Sequence, residues 1–333
     1  MPGSMVVRIG VAGASAMAHQ GRETFLRYVD TVEALGWDSV WFSDRIVGGA
    51  WRMDPLAGMA ITAGRTEKLK FGTGVLLMSM RSPVAAAREL ATIDLLSNGR
   101  LIVGVGIGQE STVEYDAMGV RKRDRGKRLD EAIVVMRRLW TEDSVTYESE
   151  FLKLTEASIQ VRPMQASIPI WIGSRTEPGL RRTGRLGDGW LPTQITPEEV
   201  ARGIERIKEH AAESGREFDD GHYGVQIATY LVERGRVPGD VKERHLTARR
   251  SDVPAEAINL LGTPGEVTAR LREYIDAGAT KFVFNPACGA EEMFDQLQFQ
   301  ADAIVHPFHQ GTALDPHQGT ALDPQEGRTP VVG

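Results

Sequence analysis

The sequence predicts an α/β chain folded as a (β/α)8 TIM barrel with insertions. Three observations carry this prediction. Eight strand-like segments alternate with helical segments over roughly 300 residues. Successive strands are joined through helices, which requires them to run parallel. The strands are also apolar throughout, as in sheets covered on both faces. A doubly wound open sheet is the competing architecture.

Taken in order, Arg8–Gly13 is a short apolar strand that ends in small residues. Glu23–Leu35 places Phe25, Val29, Val32 and Leu35 on one helical face, and Gly36 stops it. Ser39–Asp44 is the second strand, and Asp54-Pro55 opens a helix to Gly64. Phe71–Met78 is the third strand. Ser82 and Pro83 start the next helix, Leu90, Ile93 and Leu96 continue it, and Asn98-Gly99 ends it. Leu101–Gly108 is the fourth strand.

Gln109–Asp124 reads as a long polar loop, and Arg125–Trp140 as a helix with Leu129, Ile133, Met136 and Trp140 on one face. Val145–Tyr147 and Phe151–Leu154 suggest a small hairpin outside the barrel. Ile168–Gly173 is the fifth strand, Glu177–Leu186 a helix and Gly189–Pro192 the sixth strand. Thr196–Glu199 and Thr263–Glu266 are capping boxes that open two further helices. His222–Glu233 is the seventh strand. Arg234–Leu261 reads as a partly helical polar insertion. Lys281–Asn285 is the eighth strand, and a final helix runs to about His306.

Residues 1–7 are expected to be an unstructured extension, with Met5 as a candidate native start. Residues 8–308 are expected to form one barrel domain. His309–Pro316 is repeated identically as His317–Pro324. Two polar octamers cannot bury a core, so residues 309–333 are expected to be a disordered tail.

A net charge of −6 without a basic stripe argues against nucleic acid as a partner. No stretch is apolar enough to span a bilayer and no secretory leader is present, so a cytoplasmic protein acting on a small molecule is expected. Cys288 is the single cysteine, which excludes an internal disulfide and a thiolate metal cluster. The scattered histidines give no metal spacing, and His19 and His222 read as structural.

Barrel active sites lie at the C-terminal strand ends. That rule selects Asp44, Met78–Ser79, Gly108–Glu110, Gly173–Thr176, Thr193–Gln194 and Asn285. Gly173-Ser174-Arg175-Thr176 precedes a helix start, where free amides, two hydroxyls and a cation suit a phosphate. The alternative is that Thr176 merely caps the helix. Asp44-Arg45 sets opposite charges at the rim, either as a simple ion pair or toward a polar ligand. Asp188 reads as a structural capping residue. Gly72, Gly74, Gly104, Gly106 and Gly108 weaken two strands, so they mark close approach of a flat group or tight packing between barrel layers. Gly104–Gly108 lacks the last glycine and the downstream acid of a dinucleotide fingerprint.

Together, Asp44 after an aromatic-rich strand, the run Arg81-Ser82-Pro83 through Arg100, the strand Gly104–Gly108 and the segment Gly184–Trp190 resemble the bacterial luciferase-like monooxygenase superfamily. The chain is most similar to its compact deazaflavin branch, which uses coenzyme F420. The resemblance covers about Arg8 to Phe308. It implies a luciferase-like barrel with the cofactor at the C-terminal rim, and often a homodimer. It implies a non-proline cis peptide at Gly74–Val75 behind the ring, and a phosphate loop at Gly173, Ser174, Arg175 and Thr176. Gly108 and Gln109 would meet the ring edge, and Asp44 and Arg45 the ring or its polar tail.

Two positions depart from the branch. Many deazaflavin enzymes carry Asp-His where this chain has Asp44-Arg45, and several carry Glu or Trp where it has Gln109. A permanently cationic Arg45 cannot easily relay a proton. Glu110 is therefore the acid/base candidate, beside Asp44 and Arg45. The expected activity is hydride transfer between F420 and a small organic substrate, with the loops Gln109–Asp124 and Arg234–Leu261 setting substrate choice. The alternatives are an oxygen-using monooxygenase dependent on reduced FMN, and a flavin-binding protein without turnover.

Overall fold

A computed structural model describes residues 6–49, 51–108, 113–241, 250 and 252–309. Eight parallel strands make the barrel wall: β1 Arg8–Ala12, β2 Ser39–Phe42, β3 Lys70–Thr73, β4 Leu101–Val105, β7 Ile170–Ile172, β8 Gly189–Trp190, β9 Gly224–Leu231 and β11 Lys281–Pro286. They neighbour one another in that order, and β11 pairs with β1. The ring closes between β8 and β9 through the bridges Trp190–Tyr223 and Thr193–Gln226. This is the predicted barrel rather than the open sheet. The strands β5 Val145–Glu148 and β6 Lys153–Ala157 form the expected antiparallel hairpin beside it.

The helices between strands follow the predicted starts. Asp54 caps α3 (Pro55–Arg65) by accepting from Leu56 N and Ala57 N. Ser82 caps α4 (Pro83–Leu96), and both capping boxes form, on α8 (Pro197–Glu213) and α9 (Pro264–Asp276). The helices α2 (Arg22–Ala34), α6 (Arg125–Thr141) and α7 (Glu177–Leu186) lie where the periodicity placed them.

Four features differ from expectation. A short helix α1 (Ala14–His19) follows β1 directly. The polar loop after β4 contains α5 (Val113–Ala117). Within the supposed insertion, Asn259–Gly262 is a strand, β10, parallel to the end of β9. The chain then ends in α10 (Met293–Gln300), a π-helical turn Ala301–Val305 and α11 (His306–His309), slightly beyond the predicted stop. Elements this short carry too few periods for a hydrophobic pattern to register. The duplicated octamer beyond His309 lies outside the described residues.

The lumen is layered. Its middle is filled by Trp41 and Trp171, with ring centroids 6.3 Å apart, packed with Leu191 and Val283. A Cβ on Gly72 would lie 3.0 Å from the Trp41 ring, and one on Gly224 2.9 Å from Trp171. Gly224 therefore makes room for an indole, and Gly72 for both an indole and the Ile102 carbonyl, 2.5 Å from where its Cβ would lie. Beneath them, fully buried Lys281 bonds Asp38 and, at 2.8 Å, the Ser39 hydroxyl, which also accepts from Trp41 Nε1 at 2.9 Å. Burial would raise the Asp38 carboxyl, but the cations Lys281 and Lys70 and the Ser39 hydroxyl outweigh it and hold the pKa down at about 2. The floor is thus a closed polar plug, and the barrel opens only at its other end.

Candidate active site

The open end is built from the turns that follow the strands. After β3 the Gly74–Val75 peptide is cis, as the resemblance implies. The Val75 side chain turns sideways along the rim and lies over the ends of β4 and β7. A Cβ on Gly106 would come within 2.6 Å of Val75 Cγ2, and one on Gly173 would strike Cγ1. Real carbon–carbon contacts begin near 3.5 Å, so both positions must be bare for Val75 to lie there. Three neighbouring strand ends thus carry glycine, and one isopropyl group covers them. The result is a flat, half-buried apolar face.

Asp44 and Arg45 do not pair with each other, so the simple ion pair considered above is not formed. Asp44 turns inward, its side chain 1% exposed, and accepts from Arg81 Nη2 at 2.9 Å, Arg81 Nε at 3.1 Å and Leu77 N at 3.0 Å. Burial alone would lower the Arg81 pKa, yet its bonds to Asp44 raise it above the ordinary value. Asp44 N also donates to Val75 O at 3.3 Å. This carboxylate therefore fixes the turn that carries Val75. Arg45 reaches the other way, to Glu114 Oε2 at 3.2 Å. Buried Glu114 also accepts from Ile46 N at 2.9 Å, so it ties α5 to the loop after β2. Sequence reasoning did not single out Glu114, which lay in what read as a polar loop.

After β4 the backbone bends at Gly108, whose φ of +83° is a left-handed conformation natural to glycine. A Cβ there would also meet the Tyr115 hydroxyl at 3.0 Å, and that hydroxyl donates to Ile107 O. Gln109 and Glu110 lie outside the described residues.

After β7, the Ser174 and Thr176 hydroxyls are 3.1 Å apart, and Thr176 N donates to Ser174 Oγ at 3.3 Å. Thr176 occupies the cap position of α7 but makes no side-chain cap bond. Its hydroxyl turns to Ser174 instead. Gly179, one turn into α7, leaves the space that Ser174 fills. Arg175 is exposed beside a cavity of about 380 Å³ between α7 and α8, which Arg202 and Arg206 also line. Arg206 is committed to Glu177. Ser174, Arg175 and Thr176 thus bring two hydroxyls, a helix start and a cation in no ion pair among the described residues into one turn, a composition that suits an anion.

Asp188 is structural, as expected, but it serves a neighbouring strand. It accepts from Ile170 N at 2.9 Å and pairs with Arg137 at 2.5 Å. His19 stacks on Trp51 with centroids 5.0 Å apart, and His222 packs against Trp171. Gln226, on β9, was missed. Its amide lies 3.3 Å from where a Gly74 Cβ would be, and it donates to Asn285 Oδ1 at 3.2 Å.

The bare face at Gly106, Gly173 and Val75 fits a planar ring laid against the rim, and the Ser174–Thr176 turn beside it fits a phosphate joined to that ring. The sequence profile of the luciferase-like monooxygenase family matches residues 1–237. An F420-dependent glucose-6-phosphate dehydrogenase of Kribbella flavida is 32% identical, with 90% of this chain and 98% of that protein aligned. One from Amycolatopsis mediterranei is 29% identical, over 88% of this chain and 97% of that protein. The solved structure of an F420-dependent secondary alcohol dehydrogenase, in complex with an F420-acetone adduct, superposes with a TM-score of 0.77 at 19% identity, covering 92% of this chain and 99% of that one.

Proposed function

The chain belongs to the luciferase-like monooxygenase family, and from that premise we propose that it is an F420-dependent oxidoreductase that dehydrogenates a hydroxyl of a small polar substrate. The observation that carries this reading is the bare rim sector, with Val75 alone lying over Gly106 and Gly173, next to the Ser174–Thr176 turn. The full-length likeness to F420-dependent glucose-6-phosphate dehydrogenases supports it and makes glucose 6-phosphate the first substrate to try. When bound, the deazaflavin supplies a carbon that accepts or returns a hydride.

The chain's own residues do the rest. Val75 and the glycine sector hold a flat face. Ser174, Thr176 and Arg175 hold a phosphate. Asp44, locked by Arg81, fixes the turn on which Val75 stands. Arg45, steered by Glu114, sets a permanent positive charge at the mouth and moves no proton. Gly108 and Gln109 meet the ring edge, and Glu110 takes or gives the proton. Among the described residues no helix is long and apolar enough to cross a membrane. A cytoplasmic homodimer completes the reading, and light scattering of the purified protein tests its oligomeric part.

The first experiment titrates the apoprotein with oxidised F420 and, separately, with FMN, following ligand fluorescence. Selective binding of F420, followed by its reduction on adding glucose 6-phosphate or another hydroxy compound, is the expected result. Selective binding of FMN with oxygen uptake would replace this reading by the monooxygenase. Glu110→Gln should lower kcat about 100-fold or more with F420 binding unchanged. If turnover survives that change, Glu110 is not the proton carrier.

A further inference from the structure

We propose that Gln226 and Asn285 form a substrate-recognition pair for an uncharged hydroxyl or carbonyl oxygen at the bottom of the barrel mouth. The inference deepens the F420-dependent reading, on which it rests. Both residues sit at inward positions of the seventh and eighth barrel strands, Gln226 two residues beyond Gly224 and Asn285 two beyond Val283, which pack into the Trp41–Trp171 layer. Both are half-buried. Gln226 Nε2 donates to Asn285 Oδ1 at 3.2 Å, and this is the only hydrogen bond of either side chain among the described residues. Each amide offers an acceptor oxygen and two donor hydrogens. The pair therefore keeps the Gln226 carbonyl, one Gln226 N–H and both Asn285 N–H groups uncommitted.

Other internal glutamines of this protein show what a structural amide looks like. Gln296 donates to Leu231 O at 2.9 Å while its oxygen accepts from Leu231 N and Gln300 Nε2, both at 3.0 Å. Gln165 Nε2 donates to Asp94 Oδ1 at 2.7 Å and Leu101 O at 2.9 Å. Those side chains are spent on the fold. Gln226 and Asn285 are not, although an apolar pair would suit the Trp layer below and avoid burying unmet polar groups. Their surroundings also define the ligand. The nearby charges Asp44 and Arg45 are paired with Arg81 and Glu114. An amide pair can donate to a carbonyl oxygen and both donate to and accept from a hydroxyl. It therefore holds an oxygen in either oxidation state, and it gives no counter-charge to an anion.

The test is the side-chain amide NMR signals of the two residues, identified by their loss in Gln226→Met and Asn285→Leu. The full chain is titrated with F420, then with glucose and with glucose 6-phosphate. The expected result is that the sugars move these signals and F420 alone does not. Signals that follow F420 alone, or that ignore both sugars, overturn the proposal. Repeating the sugar titration without F420 decides the pair's role even if F420 fails to bind, an outcome that would sink the F420 reading separately. In turnover, Gln226→Met should raise the substrate KM about tenfold with the F420 dissociation constant within about twofold. A purely structural pair would instead lower thermal stability and leave KM in place.

Discussion

Placing a methyl group at Gly106 tests the construction of the rim. In Gly106→Ala the new carbon would start 2.6 Å from Val75 Cγ2, about 1 Å inside normal contact. Its other close neighbours are Val75 Cβ at 3.5 Å and Gly173 O at 3.9 Å, both ordinary distances. The whole conflict is therefore with one side chain. Overpacking of this kind costs about 1–3 kcal/mol, which at roughly 1.5 °C per kcal/mol for a chain of this length lowers the melting temperature by about 1.5–4.5 °C. The yielding group is Val75, which would be pushed toward the mouth by about 1 Å and should weaken F420 binding about tenfold or more. Val75→Ala alone removes two half-buried methyls and costs about 1 kcal/mol. The double variant Val75→Ala/Gly106→Ala should then be no less stable than Val75→Ala, a coupling of about 1–3 kcal/mol. Thermal melts of the four proteins measure it, and fluorescence titration gives the binding. If the two effects simply add, Val75 does not occupy the space above Gly106 and the account of the flat face is wrong.

Three further outcomes follow from the same structure. If Asp44 acts by fixing the Val75 turn, Arg81→Met should weaken F420 binding to within about threefold of Asp44→Asn; unchanged binding in Arg81→Met alone would instead put Asp44 against the ligand. Arg100 donates to Ala63 O, Thr66 O, Leu69 O, Ser97 O and Thr66 Oγ1 at 2.7–2.9 Å. Arg100→Met strips these acceptors and should cost about 3 kcal/mol or more, seen as a drop of at least roughly 4 °C in melting temperature. His309 Nε2 accepts from Ile9 N at 2.9 Å, which only a neutral ring can do. Burial lowers its pKa, with Lys281 and His306 adding to that and Asp38 and the Gly36 backbone opposing it. A lowered folded-state value means that the stabilisation is complete above the ordinary histidine pKa of about 6.5 and declines as pH falls toward the folded-state pKa. Melting curves across that range should be flatter for His309→Phe; an unchanged slope would mean that another group titrates there.

The architecture was legible because it is written in local chemistry. Asp54, Ser82, Thr196 and Thr263 announce helix starts through bonds to amides two or three residues away. The strand glycines were not resolvable in that way. Gly72 is bare because of the Ile102 carbonyl and Trp41, and Gly224 because of Trp171 and Leu191, whereas Gly106 and Gly173 are bare because of Val75. All are glycines in or next to apolar strands, and what separates the two groups lies on other strands, up to about 100 residues away along the chain. Of the two readings of these glycines, the structure shows the packing one. The strand β10 escaped notice for a related reason. Its four residues extend the edge of β9 after β8 has ended, a pairing set by strand lengths rather than by a pattern of its own.

At the mouth, the strand-end rule found the right places but not the division of labour among charges. Asp44 and Arg45 are adjacent in sequence, yet each is satisfied by a residue tens of positions away, Arg81 and Glu114. The Asp44 carboxylate is taken up by a guanidinium and a backbone amide. A guanidinium has no proton to exchange near neutral pH. Across α7 and α8, Glu199 is likewise spent on Arg250, whose hydrogen bonds lower its pKa. Among the described residues, groups at this end with hydrogen-bonding capacity to spare include the hydroxyls of Ser174 and Thr176, the cation Arg175, and the amides of Gln226 and Asn285. Such a set binds and orients but does not exchange protons at neutral pH. That is consistent with a bound cofactor carrying the redox chemistry.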